Sequence, residues 1–270
     1  MSADPRAVES LLGFWVEAGV EALYAEAPVN RTAPAAAPLA ATATAKGLSP
    51  APAARADTVP AALKAEDLQE SQSAAADAPD LPALEAAIAD FDGCALKSAG
   101  ARQAVFARGA PDAPVMIIGE APGGEEDIQG SPFVGRAGQL LDKMLSAAGL
   151  DGRAFITNTV FWRPPGNRTP TPAEQAACAP FLERAIALVK PKVLLLVGGA
   201  SAKAMLKRPE GILALRGRWF EWRSGDGALE LPALPTLHPA FLLRQPAAKK
   251  KSWEDLLTLV ERLDRPGRPD

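Results

Sequence analysis

The sequence predicts a three-layer α/β/α fold around a central, mostly parallel sheet. Two observations predict it. From residue 91 onward, short apolar runs alternate with helical patterns: strand candidates Val115–Ile118, Phe155–Thr159, Val193–Val197 and Leu234–Leu237 are separated or followed by helical stretches at about 136–148, 173–190, 200–207 and 249–264. The residues able to do chemistry also fall just past the carboxyl ends of these strands, which is where open α/β sheets bind ligands.

The elements follow in order. Val8, Leu11, Leu12, Trp15, Val16, Val20 and Leu23 recur at helical spacing, so residues 4–25 are expected to form an amphipathic helix within an N-terminal module 1–26. Its apolar stripe needs a surface, either the main domain or another chain. Residues 27–60 are rich in Ala, Pro and Thr, and prolines at 28, 34, 38, 50, 52 and 60 forbid a continuous helix there. That segment reads as a linker, 61–90 as a helical lead-in, and 91–265 as the catalytic-size domain. Arg216–Arg223 and Ala228–Leu231 suggest an added hairpin.

Composition limits the function classes. The net charge of −3 is uneven: residues 1–90 hold 5 Lys/Arg against 13 Asp/Glu, and residues 91–270 hold 24 against 19. A polyanion therefore has a mildly basic C-terminal part to bind, although on charge alone surface scatter explains the excess equally well. No apolar run is long enough to span a membrane, and no basic leader with a cleavable apolar core opens the chain, so a cytoplasmic location is expected. The two cysteines, Cys94 and Cys178, are then expected as reduced thiols. With one histidine and two distant cysteines a zinc site is not expected. There is no P-loop, and no G-x-G-x-x-G follows the first strand.

The most informative stretch is Gly119–Leu141, an acidic loop that hands a strand to a helix. Phe133 stands in it between Pro132 and Val134, placed either to anchor the loop in the core or to stack on a planar ligand. His238, the only histidine, follows another strand and precedes Pro239, so it too lies at a carboxyl end. Asn158 closes a third strand, where an amide offers a donor and an acceptor side by side, or caps a turn. Arg163-Pro164-Pro165-Gly166-Asn167-Arg168 forms a stiff, doubly basic loop, either a phosphate contact or ordinary surface. Leu242-Leu243-Arg244, followed by Lys249-Lys250-Lys251, offers apolar tips beside cations, as a wedge into a base stack requires; a solvated helix start accounts equally for the lysines.

Taken together, these motifs resemble the family 4 type of bacterial uracil-DNA glycosylase. The resemblance covers about residues 91–262. It rests on Gly119-Glu120-Ala121-Pro122-Gly123, Glu126-Asp127, Pro132-Phe133-Val134-Gly135, Ala137-Gly138, Thr157-Asn158, the Arg163–Arg168 loop, His238-Pro239 and Leu243-Arg244. It implies a uracil-DNA glycosylase-like fold and excision of uracil from single- or double-stranded DNA, leaving an abasic site. By resemblance, Glu120 and His238 are catalytic. Gly119, Ala121, Pro122, Gly123, Phe133 and Asn158 form the base pocket. Arg163, Asn167, Arg168, Leu242, Leu243 and Arg244 contact DNA. The same fold acting on another damaged base, or a weakly catalytic protein that holds abasic sites, is the alternative.

One departure from the family stands out. Family 4 enzymes usually hold a [4Fe–4S] cluster on four cysteines. Here Phe91 and Trp162 occupy two of those positions, and Cys94 and Cys178 remain. Two thiolates are too few for such a cluster. The expectation is therefore no cofactor and no metal, with the two rings packed into the vacated volume. A reactive histidine after the asparagine strand, as in a covalent-trapping branch, is missing from Phe161–Pro172, so turnover through water is expected.

Overall fold

A computed structural model describes residues 64–264 of the chain. The expected N-terminal helix at 4–25 and the linker at 27–60 lie outside the described residues. In chain order the elements are α1 (Ala65–Asp77), α2 (Leu81–Asp90), α3 (Ala95–Ser98), β1 (Ala107–Gly109), β2 (Val115–Gly119), α4 (Gly124–Gln129), α5 (Arg136–Ala147), β3 (Ala154–Asn158), α6 (Pro172–Val189), β4 (Val193–Val197), α7 (Gly199–Leu206), α8 (Ile212–Leu215), β5 (Phe220–Arg223), β6 (Glu230–Thr236), α9 (Pro239–Arg244) and α10 (Lys249–Asp264). Among the described residues no helix is long and apolar enough to cross a membrane.

The six strands form one sheet in the order β1-β3-β2-β4-β6-β5. The inner four are parallel, and β1 and β5 close the two edges antiparallel. The inner strands β2, β3 and β4 are buried along their whole length, as strands covered on both faces must be. Side-chain alternation sorts the core into two halves. Val115, Ile117, Ile156, Leu195 and Leu234 meet Leu141 and Leu145 of α5 and Leu256 and Leu259 of α10. Met116, Ile118, Leu194 and Leu196 meet Leu84 and Ile88 of α2 and Phe181 and Ile186 of α6.

This sorting positions the crevice. The chain leaves β2 into α5 on one face, and leaves its neighbour β4 into α7, whose Ala202 belongs to the other half of the core. Adjacent parallel strands whose exits diverge open a gap beyond their carboxyl ends. Thr159 helps fix the rim: its N–H donates to Gly119 O at 3.0 Å and its hydroxyl to Glu120 O at 2.7 Å.

One expectation changes, and one strand is added. Ala228–Leu231 and Leu234–Leu237 are not separate strands but one, β6, which pairs antiparallel with β5 and parallel with β4. Pro232 and Pro235 lie within it, and each removes one N–H, which is why the pattern reads as broken. The paired neighbours keep the strand extended despite the lost donors. β1, only three residues long and centred on Arg108, carries no periodicity to read.

One buried ion pair ties α10 to the sheet. Asp255 is 1% exposed; it accepts from Arg216 and, at 2.7 Å, from the Thr236 hydroxyl at the end of β6. Removing the cation strands a buried carboxylate, whereas removing a surface pair such as Arg208–Glu210 costs little. Urea unfolding is expected to show a loss of about 3 kcal/mol or more for Arg216→Ala and a loss within about 0.5 kcal/mol for Glu210→Ala.

Candidate active site

A cavity of about 550 Å³ opens at the carboxyl ends of the inner strands, lined by Glu120, Ala121, Pro122, Gly123, Glu126, Phe133, Ala137, Asn158, Pro164, Asn167, Arg168, His238, Ala240, Phe241 and Arg244. It brings together residues far apart in sequence: the loop after β2, the end of β3, and the residue after β6. Gly119 lies behind the wall. A Cβ there would fall 2.4 Å from Asn158 Oδ1 and 2.6 Å from Phe133 Cζ, so only glycine lets both side chains approach.

The loop that carries Phe133 is held by charge. Glu126, three residues into α4, accepts from the Gly123 N–H at 3.1 Å, the Val134 N–H at 3.0 Å and the Gly135 N–H at 2.9 Å. From the other side Arg108 on β1 donates to Pro132 O at 2.8 Å and Phe133 O at 3.2 Å, and pairs with Asp142 at 2.6 Å. Between these clamps Phe133 takes φ 55°, the left-handed region that a bulky side chain adopts only under constraint. Gly138 completes the fit, since a Cβ there would overlap Phe133 O at 1.6 Å. Phe133 is 6% exposed and also lines the cavity, so the alternatives left by the sequence are not exclusive: one ring anchors the loop and forms a wall.

Asn158 is 2% exposed and lies on the cavity wall. An amide there presents one donor and one acceptor to the cavity.

His238 is oriented from its own helix start. Its Nδ1 accepts the Ala240 N–H at 3.2 Å as the N-cap of α9, so the ring proton belongs on Nε2. Burial pushes its pKa down to about 4, aided by Arg244 and opposed by Glu126. The ring stacks on Phe133, with centroids 5.8 Å apart and planes 29° apart. The site therefore holds a neutral imidazole with one N–H to donate.

The basic loop after β3 is braced more than exposed. Arg163 Nε donates to Asn167 Oδ1 at 2.7 Å. Arg168 grips Glu174 with two bonds, of 2.9 and 2.5 Å, while the Thr171 N–H donates to the same carboxylate at 2.7 Å. Burial alone would push Glu174 up, but Arg168 and Thr171 outweigh it and hold it below the usual carboxylate range. Asn167 and Arg168 reach the cavity wall; Arg163 is not among the lining residues.

The proposed wedge needs a correction. Leu242 is fully buried, because the inward face of α9 packs against α5, and it cannot enter a base stack. Leu243 is 39% exposed and remains as the apolar tip, beside exposed Arg244.

The cluster positions do not fit an iron–sulfur group. Cys178 Sγ donates to Cys94 Sγ at 3.9 Å, both buried. Burial pushes the Cys178 thiol well up, and its hydrogen bond holds Cys94 down. Phe91 and Trp162 are 3% and 1% exposed in the same core, with Phe91 packed edge-on against Phe181 at 5.2 Å. Four thiolates are required, and two are present with rings around them. Among the described residues no group of three or more His, Cys, Asp or Glu is placed to hold a metal ion.

Sequence reasoning passed over Glu126 and Arg108 as actors. Gly123-x-x-Glu126 has the spacing of a helix-start carboxylate that reaches back, which was the available signal. Arg108 left none, because its partners are backbone carbonyls of a distant loop.

The single histidine permits a direct check, since its NMR signals need no assignment. The ring is expected to titrate near 4 and to carry its proton on Nε2 at neutral pH. The folded value lies below the ordinary 6.5, so this contribution to stability is complete above pH 6.5 and is lost as pH falls toward 4. A midpoint near 6.5 would contradict the buried, neutral ring.

Residues 106–257 match the model of the uracil DNA glycosylase superfamily. A type-4 uracil-DNA glycosylase of Pyrobaculum aerophilum is 41% identical over 182 residues, covering 66% of this chain and 91% of the relative. Proteins of the same name from Sulfurisphaera tokodaii and Thermotoga maritima are 39% and 40% identical, covering 61% and 52% of this chain and 77% and 71% of those relatives. The chain belongs to the uracil DNA glycosylase superfamily.

Proposed function

We propose that this protein is a monofunctional uracil-DNA glycosylase of base-excision repair. It flips uracil out of DNA and hydrolyses the N-glycosidic bond, leaving an abasic site. The observation that carries the reading is the cavity in which Glu120, Phe133, Asn158 and the neutral His238 converge.

The chemistry fits what such a bond needs. Cleavage sends the electron pair of the C1′–N1 bond to the base and leaves positive charge on the sugar, which water then traps. His238 Nε2–H donates to the uracil oxygen that gains charge, a donor aimed where charge develops. A neutral donor suits this role because it needs no proton from solution. Glu120 faces the sugar, where a carboxylate opposes the cation or orients the water. Among the described residues no lysine lines the cavity, which favours water over an amine nucleophile.

Asn158 reads the base. Uracil presents N3–H and O4, matching an amide that offers one acceptor and one donor; cytosine presents the reverse. The wrong edge would leave buried groups unpaired, which is where strong discrimination comes from. Phe133 forms the stacking wall. Flipping costs a few kcal/mol, least at a mispair. Leu243 and Arg244 fill the gap left in the helix. Asn167, Arg168 and Arg163 supply backbone contacts from the braced loop.

The same proposal includes function without an iron–sulfur cluster. The Phe91 and Trp162 rings bury apolar surface where two ligands would stand, each ring contributing roughly 1.5–3 kcal/mol.

Uracil release from single-stranded, U·A and U·G DNA tests the proposal, with iron measured in the same preparation. Wild type is expected to be active without iron. His238→Ala is expected to lose about 100- to 1000-fold in kcat, and Asn158→Ala about 10- to 100-fold in kcat/KM. Both variants retaining wild-type rates would overturn the site, and iron in stoichiometric amount would overturn the cluster-free reading.

A further inference from the structure

A second cleft, of about 340 Å³, lies between α5 and the start of α10, lined by Lys143, Met144, Ala147, Lys249, Lys250 and Trp253. Its floor is apolar, with Met144 and Ala147 beside the Trp253 ring, and its rim is cationic. Trp253 is 37% exposed, unlike the fully buried Trp162. Nothing in the excision chemistry uses it.

The charges are placed where folding alone would not put them. α10 begins Lys249-Lys250-Lys251 with no acid in its first turn, so three cations stand at the positive end of the helix dipole. The ammonium groups of Lys143, Lys249 and Lys250 make no ion pair or hydrogen bond among the described residues. An arrangement unfavourable for the helix becomes favourable when a polyanion sits over it.

Two elements lead from the cavity to the cleft. α5 begins beside the cavity at Ala137 and runs to Lys143 and Ala147, roughly 9–15 Å along its axis at the helical rise. α9 leads from the cavity through Leu243 and Arg244 and the short turn Pro246–Ala248 to Lys249. Both paths end at Trp253. A strand leaving the cavity past Leu243 covers that distance in about three to four nucleotides.

We propose that this cleft is a flanking-nucleotide subsite. Trp253 stacks an unpaired base a few positions from the excised uracil, and Lys143, Lys249 and Lys250 hold the adjoining phosphates. An exposed ring bordered by cations is the recurrent device for unpaired strands, because every base has a face to stack. The proposal rests on the reading of the main cavity as the site of uracil excision, and it makes single-stranded DNA the preferred partner of this surface.

The test uses the full chain and labelled single-stranded oligonucleotides. One carries uracil at its centre; two are cut immediately 5′ or 3′ of the uracil. Binding is read by fluorescence anisotropy at several salt concentrations, and uracil release by steady-state kinetics. Trp253→Ala is expected to raise Kd and KM about 5- to 100-fold on the central substrate, with kcat unchanged. It should have no effect on the one truncated strand that cannot reach the cleft. Trp253→Phe should restore most of the loss. The double variant Lys249→Ala/Lys250→Ala, altered only at exposed positions, should lower the slope of log K against log salt by about 1.4. Kd and KM within twofold of wild type for both the Trp253→Ala and the double-lysine variants, or equal losses on all three strands, would overturn the subsite. A wild type that binds these strands but releases no uracil would overturn the excision reading instead, and the binding comparison would still judge the cleft.

Discussion

The candidate site depends on one carboxylate. Glu126 gathers three backbone N–H groups, from Gly123, Val134 and Gly135, and so closes the turn that leaves β2 and re-enters α5. Charge-assisted bonds of this kind are about twice as strong as neutral ones. They oppose the left-handed backbone of Phe133, a strain of about 1–3 kcal/mol. Arg108 takes the carbonyls of the same loop, so donors and acceptors on both sides are satisfied. What results is an aromatic wall fixed before any ligand arrives. Preorganisation of that kind removes an ordering cost from binding.

The wall and the imidazole depend on each other. His238 stacks on Phe133, and the same enclosure that buries the ring lowers its pKa to about 4. The backbone N–H of Ala240 then selects the tautomer. A loop that relaxed would open the enclosure, raise the pKa, and turn a neutral donor into a titrating one. Glu126 supports the enclosure by holding the loop, although its own charge opposes the lowering, which burial outweighs. On the opposite side of the sheet, aromatic packing around Cys94 and Cys178 steadies α6 and the braced loop that precedes it. The two halves of the core thus support the two sides of one crevice.

The parallel sheet was legible because β2 and β4 are short apolar runs and the inner strands are spaced by helices; Val193–Val197 carries its own boundaries. The convergence of Glu120, Asn158 and His238 was legible because each follows a strand, and parallel strands bring their carboxyl ends to one edge. Three features were not. The strand β6 hides two prolines, whose lost donors look like a break until β4 and β5 are seen to flank it. Leu242 and Leu243 are indistinguishable as letters, and only the packing of α9 on α5 decides which one faces outward. Arg108 holds backbone carbonyls, and such a contact has no partner residue type to search for.

The central claim is that Glu126 fixes the geometry on which excision depends. Glu126→Gln tests it most directly, since the side chain keeps its size but brings an N–H to a place crowded with N–H donors. The measurement is kcat/KM for uracil release beside the melting temperature. The account predicts a fall of about 100-fold or more with a melting temperature lowered by only a few degrees. Wild-type kcat/KM in Glu126→Gln would contradict it.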